Sequence, residues 1–166
     1  QYAVGASDPA AAAYNEGGNW VGILFAVYNG VAALAALFLL PKLAERVGKV
    51  KTHMVCLLAG SAGFAAFLFI RDPQMLLLAE IGIGIAWASI LAMPYAILAS
   101  SLPQGKLGIY MGLFNIFIVV PQLLVATVMG TILKAFFPTE PIWTMAVAAT
   151  VMALAALATL RVKEPA

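Results

Sequence analysis

Six side chains that can bind a ligand lie inside long apolar stretches of this sequence. They are Tyr28, Asn29, Trp87, Tyr95, Asn115 and Gln122. Aromatic rings stack on the C–H faces of sugars, and amide and hydroxyl groups exchange hydrogen bonds with sugar hydroxyls. These stretches carry no cluster of Lys or Arg that would bind an anion. We therefore interpret the six as candidate substrate-binding residues for a sugar.

Their spacing places several of them on shared helix faces. At 100° per residue, Glu80, Trp87 and Tyr95 fall within about 80° of one another on one helix. Asn115 and Gln122 share a face of the next predicted helix. Glu80 favours an interfacial or loop-pairing role, and proton coupling is the alternative that makes it a candidate functional residue.

Structural interpretations of the same residues remain open. Trp and Tyr rings also serve as packing or membrane-interface residues, and Asn and Gln amides also link helices. His53 is expected at the membrane interface, and the single cysteine, Cys56, is expected to be a small apolar filler.

Catalytic and metal-binding patterns are not found in the sequence. His53 has no Cys, Asp or second His at metal-ligand spacing, and Ser89 has no base evident from its position in the sequence. The net charge of +2 is too small to indicate a nucleic-acid partner. We predict that the protein is not an enzyme and uses no metal and no cofactor.

Composition predicts that the elements carrying these residues cross a membrane. Hydrophobic residues make up 64% of the chain and charged residues only 10%, with a mean hydropathy of +1.01. A soluble domain usually has about a quarter of its residues charged. The charges delimit uncharged runs of 25, 19, 25, 27 and 20 residues, and about 20 apolar residues span the hydrocarbon layer.

The sequence therefore predicts an all-α membrane protein with a five-helix transmembrane domain over residues 19–166. The predicted spans, A to E in chain order, are residues 19–41, 52–70, 74–101, 106–135 and 140–162. Residues 1–18 are predicted to form an external loop. Seven Lys and Arg residues fall on one side of this arrangement, and only Arg71 and Lys134 fall on the other. The positive-inside rule then predicts that the A–B loop and the C-terminus are cytoplasmic.

Polar residues are distributed unevenly among the spans. They concentrate in A, C and D, whereas B and E are almost purely apolar and rich in small residues. Because polar groups in hydrocarbon are costly, we expect A, C and D to line a polar space and B and E to face lipid. Pro94 and Pro121 interrupt the hydrogen bonding of C and D, which is typical of helices that line a pathway.

Two motifs resemble a known family. Residues Pro41–Lys49 resemble the signature cytoplasmic loop of the major facilitator superfamily, roughly Gly-x-Leu-Ala-Asp-Arg-x-Gly-Arg. They depart from it at Pro41, Glu45 and Lys49. In the family an acid–Arg pair latches neighbouring helices on the cytoplasmic side, a role that the resemblance assigns to Glu45 and Arg46.

The second motif is more specific. Residues Met93–Ser100 and Gly112–Gln122 resemble the sucrose–proton and glycoside–cation symporters, with a likeness extending from about Tyr14 to Val162. It implies that spans A to E correspond to helices eight to twelve of a twelve-helix sugar transporter. Alternating access requires two halves, so the missing N-terminal half is an expected partner, beside sugar, protons and the lipid bilayer.

The resemblance leaves other classes of function open. A non-transporting membrane module or assembly subunit derived from the same fold is the main alternative. The resemblance implies a multi-pass protein of the plasma membrane, in bacteria the inner membrane. It also implies that these residues alone do not transport.

Overall fold

The structure is a computed structural model that describes residues 12–137 and 140–163. Within these ranges the chain forms only helices and the turns between them. The helices are α1 (Ala12–Leu34), α2 (Leu40–Val47), α3 (Lys49–Ala66), α4 (Pro73–Ser101), α5 (Leu107–Phe136) and α6 (Trp143–Thr159). The all-α, five-segment architecture predicted from the sequence is confirmed, because α1 and α2 belong to one continuous helical run.

That first run is longer than predicted at both ends. It begins at Ala12, inside the predicted external loop, and continues to Val47 through a π-helical segment, Ala35–Leu39. Pro41 explains the π segment, because proline cannot donate the backbone hydrogen bond of a regular turn. Residues 1–11 of the predicted loop lie outside the described residues.

Gly48 makes the sharp break between α2 and α3. Its φ of 88° lies in the left-handed region, where a side chain is strained and glycine is not. The predicted A–B loop therefore shrinks to one residue, and the segment that resembles the family signature is helical up to Val47. Both Glu45 and Arg46 are exposed on α2.

The start of α4 is close to its predicted position. Asp72 is the N-cap, and its carboxylate accepts a hydrogen bond of 2.8 Å from the backbone N–H of Gln74. Pro73 follows at the first helical position, where its missing N–H costs nothing. Both α4 and α5 continue through their interior prolines, Pro94 and Pro121.

Helix length and hydropathy support a multi-pass membrane protein. Three helical stretches are long and apolar enough to cross a membrane, namely Ala12–Val47, Pro73–Ser101 and Leu107–Phe136. Helix α6 is apolar but shorter, and α3 carries Lys49 and Lys51 in its first turn. The spans predicted for B and E therefore correspond to the two shortest of the five segments.

The core of the bundle lies where α3 and α4 meet. Helix α4 packs against α3 and α1, and α3 also packs against α6. Small residues allow this close approach: a Cβ placed on Gly63 would lie 2.6 Å from the carbonyl oxygen of Ala79. Cys56 is fully buried among Ala32, Ala88 and Met93, as expected for an apolar filler.

One expectation from the polarity pattern is not met. Span B was expected to face lipid, but α3 is packed on two sides and buries six of its residues. The expectation that α5 lines a polar space stays a prediction, because none of its described residues is buried and it makes few contacts with α4. The polarity of a helix predicts whether it has a polar face. It does not predict which other helices of the chain pack against it.

Candidate functional site

A cavity of about 350 Å³ lies between α1, α3, α4 and α6. Its lining residues lie in the first half of α4, near the end of α3 and near the start of α6, so the cavity is near one end of the bundle. The positive-inside pattern predicts that this end is external. Two of the predicted substrate-binding residues, Tyr28 and Trp87, line the cavity, and so does Glu80.

Close approach of α1 and α4 positions the two rings. A Cβ placed on Gly84 would lie 2.6 Å from the carbonyl oxygen of Tyr28, so only glycine allows this contact. Trp87 lies about one turn further along α4 than Gly84. The rings of Tyr28 and Trp87 consequently meet edge to face, with centroids 6.3 Å apart and an interplanar angle of 86°.

Glu80 lies about 10 Å from the start of α4, measured along the helix axis. Only 6% of its surface is exposed, and it is the one charged residue among the described residues that line the cavity. The structure places this carboxyl group inside the bundle, on the same cavity as the aromatic rings. The proton-coupling role and the interfacial or loop-pairing role of Glu80 both stay predictions.

A second group of predicted residues lies nearer the opposite end of the bundle. The Tyr95 hydroxyl of α4 donates a hydrogen bond of 2.5 Å to the Asn115 Oδ1 of α5. The Tyr95 ring also meets Phe114 edge to face, with centroids 5.3 Å apart. Since Oδ1 is occupied by Tyr95, the Asn115 amide group retains two N–H donors for another partner.

Asn29 and Gln122 lie apart from both groups. The Asn29 amide turns back on its own helix and donates a hydrogen bond of 2.8 Å to the carbonyl oxygen of Phe25. Gln122 is exposed on α5, about 10 Å along the helix from Asn115 and on the same face. The structure therefore brings together Tyr28 with Trp87 and Tyr95 with Asn115, but it does not join the six residues in one cavity.

Two polar contacts at the predicted cytoplasmic side were missed in the sequence. The Nδ1 atom of His53 lies 2.8 Å from the Oγ atom of Ser89, which corrects the expectation that Ser89 has no base nearby. Ser89 is completely buried, so no substrate could reach its hydroxyl group. The Lys49 ammonium group donates a hydrogen bond of 3.4 Å to the carbonyl oxygen of Ala96, tying the start of α3 to α4.

Neither contact could be found from spacing alone. His53 and Ser89 are 36 residues apart, and Lys49 and Ala96 are 47 residues apart. Both pairs depend on how α3 is rotated against α4. Among the described residues, no three His, Cys, Asp or Glu side chains are grouped so that they could hold a metal ion.

Comparison with known proteins gives one match. The family model described as Major Facilitator Superfamily matches residues 4–166, which is nearly the whole chain. The comparisons with curated proteins and with solved structures gave no match.

Proposed function

Since the chain belongs to the Major Facilitator Superfamily, a family of transporters, we propose that it carries part of a proton-coupled sugar transporter. The substrate would be a sucrose- or maltose-type glycoside moved by alternating access. The chain would contribute five helical segments of the C-terminal half. Sugar, protons, the lipid bilayer and the N-terminal half are its proposed partners, and neither a nucleic acid, a metal nor a cofactor takes part.

The Tyr95–Asn115 hydrogen bond is the observation that carries the sugar proposal. It holds an amide group in one orientation with two free N–H donors, beside two aromatic rings. Fixed amide donors next to rings suit a hydroxyl-bearing ligand better than a charged one. Both helices at this site contain a proline, Pro94 in α4 and Pro121 in α5, as is common where a helix lines a pathway.

The remaining predicted residues take defined roles in this proposal. Tyr28, Trp87, Asn29 and Gln122 would contact the sugar once the other half of the transporter encloses it. Glu80 is the candidate for proton coupling, because it is an intramembrane carboxyl group with no cation lining its cavity. Glu45 and Arg46 would act as the cytoplasmic latch from their exposed positions on α2.

The proposed location is the plasma membrane, in bacteria the inner membrane, with the C-terminus in the cytoplasm. Seven of nine Lys and Arg residues lie on the side that this orientation makes cytoplasmic. An enzymatic role is not proposed, because the one Ser–His contact in the described residues is inaccessible to substrate. The alternative of a non-transporting assembly subunit predicts no uptake at all.

Single substitutions at the Tyr95–Asn115 pair and at the Tyr28–Trp87 pair test the sugar assignment. In the full-length protein, Asn115→Ala and Trp87→Ala should each raise the KM for sugar uptake about tenfold, which corresponds to a loss of about 1.4 kcal/mol of binding free energy. Uptake of labelled sucrose and maltose into proteoliposomes measures this.

Matched controls are available on exposed positions near helix starts. Asn15→Ala and Trp143→Ala remove the same side chains outside both sites, and should leave the KM unchanged. Normal uptake by both Asn115→Ala and Trp87→Ala would remove the site assignment, whereas equal losses in the controls would indicate a general effect on folding.

A further inference from the structure

The cavity at the predicted external end combines a carboxyl group with an aromatic wall. Its described lining includes the rings of Phe25, Tyr28, Phe64, Phe67 and Trp87. The Phe25 and Tyr28 rings meet edge to face with centroids 5.3 Å apart, and Tyr28 in turn meets Trp87. Three of the rings therefore form one continuous surface, and Glu80 lies on the same cavity.

A buried carboxyl group either takes up a proton or needs a positively charged partner. Only 6% of the Glu80 surface is exposed, and none of the cavity-lining residues described is Lys, Arg or His. Transfer of an uncompensated charge out of water costs several kcal/mol or more. A ligand that carries one positive charge would offset part of this cost by lying beside the carboxylate.

The aromatic wall favours the same class of ligand. The face of an aromatic ring carries negative charge density, and a cation within about 6 Å of the ring centre gains about 0.5–2 kcal/mol. The described lining by itself would leave most hydroxyl groups of a sugar unpaired, because its polar side-chain groups are the Tyr28 hydroxyl, the Trp87 N–H and the Glu80 carboxyl. The cavity chemistry therefore differs from that of the Tyr95–Asn115 site.

We propose that this cavity binds an organic cation, a quaternary or protonated amine with apolar substituents, between the Glu80 carboxylate and the rings of Tyr28 and Trp87. Its volume of about 350 Å³ lies at the small end of the range for drug-sized ligands, roughly 300–1,000 Å³. The inference does not rest on the proposed sugar substrate, since it needs only the carboxyl group, the rings and the cavity.

Equilibrium binding of benzyltrimethylammonium tests the proposal. The full-length protein is placed in nanodiscs of phosphatidylcholine, a lipid without net charge, and binding of the radiolabelled cation is measured in the absence of sugar. The native protein should bind it saturably. Glu80→Gln, which keeps the shape of the side chain and removes its charge, should weaken binding at least about tenfold.

Glu16→Gln is the matched control. Glu16 is exposed near the start of α1, outside the cavity, and its substitution changes the net charge equally. We expect Glu16→Gln to bind benzyltrimethylammonium with the same affinity as the native protein. The neutral isostere neopentylbenzene should not displace the bound cation, because it lacks the charge that Glu80 recognises.

A second variant keeps the test decisive if Glu80→Gln fails to fold. Trp87→Leu retains the carboxylate and removes one ring, so it should weaken binding several-fold, whereas Trp87→Phe should recover most of the affinity. The proposal is overturned by non-saturable binding to the native protein, by native affinity in Glu80→Gln or Trp87→Leu, or by an equal loss in Glu16→Gln. Cation binding is measured without sugar and sugar uptake is measured separately, so failure of this proposal and failure of the sugar proposal are distinguishable.

Discussion

At the scale of single residues, the candidate site depends on side-chain contacts between helices. The hydrogen bond between Tyr95 and Asn115 is set by the rotation of α5 against α4, so spacing within either helix does not predict it. The same holds for His53 and Ser89, whose contact joins α3 and α4. The burial of Glu80 was open for a similar reason, because its position near a helix start is compatible with a loop contact as well as with a cavity.

The Tyr95 hydroxyl gives a sharp prediction at this scale. Tyr95→Phe keeps the ring that packs on Phe114 and removes the donor to Asn115. The freed amide can rotate, so the KM for sugar should rise roughly 3–10-fold, which corresponds to about 0.5–1.5 kcal/mol for one hydrogen bond. Uptake kinetics with sucrose or maltose measure this change.

The companion variant Tyr110→Phe removes a tyrosine hydroxyl from the exposed start of α5 and should leave the KM unchanged. An unaltered KM for Tyr95→Phe would mean that the Asn115 orientation has no role in binding.

At the scale of helices, the spacing of charged residues predicts where the segments lie. Their ends depend on caps, prolines and glycines in the backbone. Asp72 and Pro73 fixed the start of α4 close to its predicted residue. The first run extends past its predicted end because the charge at Lys42 was taken to delimit the span, whereas the π segment before Pro41 lets the helix continue to Val47. The central place of α3 was also missed, since an apolar helix suits a protein core as well as lipid.

Substitution of Gly84 tests the packing of α1 on α4, because this glycine sets the distance between the two helices. Gly84→Ala would place a Cβ 2.6 Å from the Tyr28 carbonyl oxygen and 2.8 Å from the Val31 Cβ. Overpacking of this kind typically lowers the free energy of unfolding by about 1–3 kcal/mol. Titration of the helical circular dichroism with sodium dodecyl sulfate in mixed micelles measures it.

Gly22→Ala is the corresponding control on α1, where a Cβ would meet no atom within 4 Å. Alanine should leave stability unchanged there or raise it by up to about 1 kcal/mol through helix propensity. Equal stability for the two variants would contradict the close packing of α1 on α4.

At the scale of the whole molecule, α5 has a largely uncovered surface. None of the described residues of this 30-residue helix is buried, although it carries Asn115 and Gln122. A polar face at membrane depth requires a covering helix or a wet cavity. In the proposed transporter, the N-terminal half would cover that surface. The family match over residues 4–166 is the reason for proposing such a half. Composition predicted the membrane class, but it could not predict that α5 stays uncovered by the other described helices.

Proton-driven sugar uptake tests the central proposal most directly. The full-length protein is reconstituted in proteoliposomes with an acidic outside, and accumulation of labelled sucrose and maltose is followed. We expect at least one sugar to rise above its external concentration and to fall back when a protonophore is added. The 166 residues reconstituted alone should show no uptake. Failure of the full-length protein to accumulate either sugar, or accumulation that persists with the protonophore, would contradict the proposed proton-coupled sugar transport.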